Sequence, residues 1–126
     1  MARRTSIEIE GLSHLTAIPV ATKIGPLVVS SVIAPFLPGT REHAPDAAGQ
    51  IEQIFESVGK MLAAAGATWG DVAKMNFWLA DAGDRPALEP IWLKYFPDDT
   101  SRASRHTHIS KGAPFVTGDF LAYVGD

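Results

Sequence analysis

Arg102 and Arg105 stand three residues apart in the run Ser101-Arg102-Ala103-Ser104-Arg105-His106-Thr107-His108-Ile109. A guanidinium is always charged and presents a planar donor fork matched to a carboxylate, so an arginine on a half-buried strand needs an anionic partner, from the protein or from a ligand. Arg105 opens the segment Arg105-His106-Thr107, where extended structure should begin, and Arg102 lies three residues earlier as the competing position; the residues alone leave open whether the anion belongs to the protein or to a ligand. His106 and His108 fall on one face of the same strand. Such a pair holds a metal only when a third ligand converges, and none is fixed by spacing, so no metal is expected and an interface or solvent-facing pair is the plainer reading. His14 reads as a loop histidine that could approach a neighbouring subunit.

Composition narrows the partners. Eleven Lys and Arg against fourteen Asp and Glu give a net charge of −3, which offers no broad attraction to nucleic acid or to an anionic membrane. Cysteine is absent, excluding disulfides, thiolate metal sites and a cysteine nucleophile. With 126 residues and 46% hydrophobic content, one domain over 1–126 with an ordinary core is expected. The positive residues before Ile7 are followed by Ile7-Glu8-Ile9-Glu10, too polar for the apolar part of a signal peptide, and no run approaches the ~20 apolar residues that cross a bilayer. A cytoplasmic location is expected.

The elements that must position the arginines follow from period and punctuation. Ile7-Glu8-Ile9-Glu10 alternates, and Ile18 to Ile24 leads through Gly25-Pro26 into Leu27-Val28-Val29-Ser30-Ser31-Val32-Ile33, which predicts a hairpin. Pro35 to Pro45 has the composition of a loop. From Asp46, a suitable N-cap, the residues Ile51, Ile54, Phe55, Val58, Leu62 and Ala65 repeat at helical spacing until Gly66. Gly49 and Gly59 inside that helix suggest close approach to a sheet. Thr68-Trp69-Gly70-Asp71 has capping-box spacing. A strand follows in which Met75, Phe77 and Leu79 form an apolar face and Lys74, Asn76 and Trp78 a mixed one; Trp78 is a candidate for burial against another subunit. Asp84-Arg85-Pro86 opens a second helix bearing Leu88, Ile91, Trp92 and Tyr95, in which Pro90 is tolerated only in the first turn. Two strands, Ser104 to Ser110 and Val116 to Val124, read as a closing hairpin. The order is β-β-β-α-β-α-β-β, an α+β domain with two helices on one face of a mixed sheet and a bare face inviting oligomerisation.

From Ile18 to Val124 the chain resembles the RidA/YjgF family, small homotrimers of chorismate-mutase-like fold whose best-known members hydrolyse reactive enamines and imines. The resemblance is carried by Leu62-Ala63-Ala64-Ala65-Gly66-Ala67-Thr68-Trp69-Gly70-Asp71-Val72-Ala73-Lys74-Met75, by Ile24-Gly25-Pro26-Leu27-Val28-Val29-Ser30-Ser31, by Trp92-Leu93-Lys94-Tyr95-Phe96-Pro97, and by Arg105 opening the next strand. It implies a cleft between subunits in which Arg105 holds the carboxylate of an amino-acid-derived imine and Asp119 stands where relatives carry a water-positioning Glu. Ser31, or a backbone group near it, would complete the cleft, and Glu89 occupies the place of an Asn on the second helix. No cofactor is implied.

Several positions depart from the family pattern. The stretch Gly-Pro-Tyr-Ser-Gln is replaced by Ala17-Ile18-Pro19-Val20-Ala21-Thr22, Ser-Gly by Ser31-Val32, and a Cys two residues beyond the Arg by Thr107. The leading expectation is an imine deaminase; the alternative is a noncatalytic trimeric module binding a small carboxylated metabolite. RNA cleavage, assigned to some members, is disfavoured by the acidic balance and by the lack of an evident nucleophile and base.

Overall fold

The computed structural model describes residues 3–125. Gly25 takes φ +55°, a conformation that costs little only without a Cβ. Ile24 therefore pairs directly with Leu27, and the predicted hairpin joins β2 (Ala21–Ile24) to β3 (Leu27–Ser30). β1 (Arg4–Ile7) adds antiparallel to β2. The alternation over residues 7–10 predicted a strand, yet only Ile7 lies in one. Leu12 donates its N–H to the Ile9 carbonyl and Gly11 takes φ +86°, so the chain turns where the alternation would have carried it on.

Helix α1 (Ala47–Ala65) begins where the sequence placed it. The Asp46 side chain accepts from the Gly49 N–H at 3.0 Å, and Gly66 ends the helix at φ +75°. Lys23 donates to the Ala65 carbonyl at 2.9 Å, placing a cation on the negative end of the helix dipole. Gly49 does mark a close approach, but to the preceding loop rather than to the sheet: a Cβ there would stand 2.5 Å from that of Ala44. After a short 3-10 turn at Trp69–Asp71, β4 (Val72–Leu79) buries Met75, Phe77 and Leu79 as its alternation requires. Helix α2 (Arg85–Tyr95) carries Pro86 in its first turn and Pro90 in its interior, at an exposed position. The lost hydrogen bond is tolerated because Leu88, Ile91 and Trp92 bury the opposite side.

Strands β5 (Ser104–Ile109) and β6 (Thr117–Tyr123) do not form the predicted hairpin. The sheet order is β1-β2-β3-β6-β4-β5: β6 is antiparallel to both β3 and β4, and β5 runs parallel to β4 at the edge. The burial patterns explain the exchange. Gly118, Phe120 and Ala122 are buried, which suits β6 to the centre, whereas Ser104, Arg105 and His106 are exposed and suit an edge. The α2 crossover returns the chain parallel beside β4.

Both helices pack on one face. Phe55 of α1 sits at the middle of that layer, its ring centroid 5.6 Å from Phe77, 4.6 Å from Tyr95 and 5.7 Å from Trp69. Full burial of Phe55 and Phe77 contributes roughly 2 to 3 kcal/mol each. The opposite face carries Leu27, Val29, Leu121 and Tyr123 beside Asn76 and Trp78, and Tyr123 is 56% exposed there. The element order is the one read from the sequence, an α+β fold with one mixed sheet. No helix among the described residues is long and apolar enough to cross a membrane.

Candidate functional site

Strand register decides which side chains can meet. β4 and β5 are parallel with Met75 opposite Arg105, Asn76 opposite His106 and Trp78 opposite His108. Paired residues share a face, so Arg105 lies on the helix side with Met75, while His106 and His108 lie on the bare side. On the other edge of β4, Asn76 is opposite Asp119 and Trp78 opposite Thr117. Asp119 thus shares the bare face with the two histidines. Arg105 does not.

Arg105 finds its anion within the chain. Its Nη2 stands 3.3 Å from Glu89 Oε2, and its guanidinium carbon lies 4.9 Å from the Trp92 ring centroid. Cation, carboxylate and indole form a latch between β5 and α2. Arg102 is engaged differently: Nε donates to the Phe96 carbonyl at 2.9 Å and Nη2 to the Pro97 carbonyl at 3.4 Å, pinning the loop between α2 and β5. In the same loop the Thr100 N–H and hydroxyl both donate to Asp98, at 2.9 and 2.8 Å, and hold its carboxyl below the usual range. Ser31 donates its hydroxyl to the Pro19 carbonyl at 2.7 Å, tying the end of β3 to the segment before β2.

The bare face assembles a polar row. Asn76 donates Nδ2–H to Asp119 Oδ1 at 2.8 Å, and its Oδ1 lies 3.3 Å from His108 Nε2. A carboxylate only accepts, so Asn76 must turn its amide nitrogen to Asp119 and its oxygen to His108, which then donates from Nε2. The His108 ring lies flat on Trp78, with centroids 4.7 Å apart and planes 9° apart, and the His106 ring, its centroid 3.8 Å away, is tilted 33° to it. No third His, Cys, Asp or Glu converges on this pair to hold a metal among the described residues.

A concavity of about 800 Å³ opens at the end of the row, where Thr117 contributes to its wall. It is bounded by Leu12 and Leu15 of the first loop, by Val32 and Phe36 after β3, and by Phe115. His14 and Arg41 also line it, so His14 faces a concavity of its own chain. Asp119 lies two residues beyond Thr117 on the same strand face, while Ser57 and Met61 of α1 also border the concavity.

Of the residues named from sequence, the structure groups Asp119 with His106 and His108, pairs Arg105 with Glu89, and commits Arg102 and Ser31 to backbone carbonyls. Asn76, which links Asp119 to His108, is the member of this row that the sequence did not single out as a site residue. Its signal was its place on the mixed face of β4, between Lys74 and Trp78.

A family model described as Endoribonuclease L-PSP matches residues 16–113. Among curated proteins, the chain is 33% identical over 78 residues to the Reactive Intermediate Deaminase A, chloroplastic, of Arabidopsis thaliana, covering 61% of this chain and 42% of that one. It is 33% identical over 57 residues to the 3-aminoacrylate deaminase RutC of Acinetobacter baylyi, covering 45% of each. The chain spans about half the length of the curated relatives it matches. Among solved structures, RidA from the Antarctic bacterium Psychrobacter superposes with a TM-score of 0.85 at 24% identity over 95% of this chain and 99% of that one. Yeast Mmf1 does so with a TM-score of 0.87 at 18% identity over 97% and 99%. These likenesses establish the shared fold, and with the family model taking in more than half of the sequence, the chain belongs to the Endoribonuclease L-PSP family, the RidA/YjgF proteins.

Proposed function

We propose that this chain hydrolyses small imines derived from amino acids, releasing ammonia, with the reaction centre at Asp119 on the bare face of the sheet. One observation carries this reading: Asp119 is held by Asn76 in a row that continues to His108, beside a concavity of about 800 Å³ with an apolar wall. The names of its relatives, a reactive intermediate deaminase and a 3-aminoacrylate deaminase, support the reaction class.

The chemistry moves protons and breaks one bond to nitrogen. Water adds to the imine carbon while Asp119 orients it and accepts its proton. That proton passes to nitrogen to give a carbinolamine, which collapses to a carbonyl compound and ammonia. Nothing is oxidised or reduced, so the reaction calls for no redox cofactor. The apolar wall of Leu15, Val32, Phe36 and Phe115 would take an uncharged side chain of the imine. Further copies of the chain, as a homotrimer, would cover Leu121 and Tyr123 and close the face from bulk water.

The test is ammonia release from an imino acid generated in the assay. Asp119→Asn keeps an acceptor for Asn76 but removes the base, and should slow release by about a hundredfold or more. Parent protein that binds the corresponding 2-oxo acid yet releases no ammonia above the spontaneous rate would leave a binding module and overturn the hydrolase.

A further inference from the structure

We propose that the concavity between the first loop, the turn at residues 37–42 and helix α1 is a binding site for an aromatic organic anion, with Arg41 and Ser57 as its donors. It shares Phe36 and Phe115 with the apolar wall offered above to an imine side chain, but it does not depend on turnover at Asp119.

The walls are held by the fold before any ligand arrives. Gly39, at φ +77°, lets the chain double back, with the Leu37 N–H donating to the Glu42 carbonyl at 2.9 Å and the Thr40 hydroxyl to the Leu37 carbonyl at 2.8 Å. The Gly39 N–H donates to the Gly11 carbonyl at 2.8 Å and ties this turn to the first loop. These two loops border one side of the concavity, and Ser57 and Met61 of α1 border another. Phe36 and Phe115 are both half-buried and meet edge to face, with ring centroids 5.1 Å apart. Their rings and the Met61 thioether suit an aromatic guest.

Charge selects the head group. The chain carries fourteen Asp and Glu, yet none of them borders the concavity, whereas Arg41 does. Arg41 is a permanent cation. Its guanidinium carbon lies 4.9 Å from the Phe36 ring centroid, and no carboxylate comes within ion-pair distance of it among the described residues. A ligand packed on Phe36 therefore brings its head group to an unneutralised guanidinium. At the helix wall Ser57 is 1% exposed and accepts from Gln53 Nε2 at 3.5 Å, while its own hydroxyl hydrogen has no acceptor among the described residues. A buried donor left unpaired is costly, and a ligand oxygen relieves that cost. Two donors and no acid, set among aromatic walls, fit an acceptor-rich anion carried on a planar ring.

Calorimetric titration of the full chain with naphthalene-2-sulfonate tests this. The sulfonate should bind about tenfold more tightly than naphthalene-2-sulfonamide, which has the same shape and no charge. Arg41→Gln, at an exposed position, should bring the two ligands within about twofold of each other. Ser57→Ala should weaken the sulfonate about threefold or more. A parent that fails to bind the sulfonate with a Kd below about 1 mM, as when another copy of the chain covers the concavity, overturns the proposal. So does a parent without preference for the sulfonate, an Arg41→Gln variant that keeps the preference, or a Ser57→Ala variant that keeps the parent's affinity. Asp119→Asn separates the two ideas: it should lose ammonia release and bind the sulfonate as the parent does. A parent that binds the sulfonate in this way but releases no ammonia sinks the hydrolase reading alone.

Discussion

Replacing Arg105 by alanine should weaken the fold slightly and leave ammonia release within about twofold of the parent, the modest effect expected where no ligand contact is lost. At 3.3 Å from Glu89 the Coulomb attraction across water is about 1 kcal/mol. The two side chains are 27% and 57% exposed, so screening and the entropy of holding both in place bring the net to about 0.5 kcal/mol. The guanidinium over Trp92, 4.9 Å from its centroid, adds about 0.5 to 1 kcal/mol. A total near 1 kcal/mol lowers the urea midpoint by about 0.3 to 1 M for ordinary denaturant slopes. A double-mutant cycle with Glu89→Ala should assign about 0.5 kcal/mol to the pair and lose it near 1 M salt, where screening acts within about 3 Å. If Arg105→Ala instead abolishes ammonia release while the urea midpoint is unchanged, the guanidinium meets a ligand, and the separation of the two sheet faces has been read wrongly.

Other substitutions probe how the fold holds the row. Gly118→Ala would place a Cβ 3.0 Å from the Asn76 carbonyl oxygen and 3.4 Å from Ile54 and Phe77. It should cost about 1 to 3 kcal/mol by overpacking and reduce ammonia release beyond that loss, because it shifts the strand that presents Asn76 to Asp119; thermal melts and turnover measured together check this. Gly49→Ala raises helix propensity by up to about 1 kcal/mol yet should destabilise, since its Cβ would meet that of Ala44 at 2.5 Å; a higher melting temperature would contradict the contact. Burial raises the Tyr95 phenol above its ordinary range, with nearby Lys94 opposing. Its folded-state value exceeds the unfolded one, so its contribution is intact below the unfolded pKa near 10 and fades as pH rises through the folded value. Stability curves at increasing alkaline pH should therefore fall less steeply for Tyr95→Phe than for the parent.

What the sequence could and could not reveal about this site has one physical origin, the difference between local and non-local information. The cap at Asp46, the stop at Gly66, the Gly25-Pro26 turn and the buried side of β4 are each decided within a few residues, and each is found where the pattern put it. The pairing of β6 with β3 and β4 is decided by residues distant in the sequence, as with Leu27 opposite Tyr123, and the hairpin expected between the last two strands does not exist. Arg105 shows the consequence for function. A strand turns successive side chains to opposite faces, so displacing the register by one residue exchanges the faces completely. In β5 the run Ser104-Arg105-His106-Thr107-His108-Ile109 is polar on both faces for most of its length, and nothing local says which side meets the core. Ile109 aligned with Leu79 is the one apolar cue, and it puts Arg105 with the helices and the histidines with Asp119. A guanidinium calls for an anion, and Glu89 stands 3.3 Å from Arg105; that proximity follows only once β5 is laid beside β4.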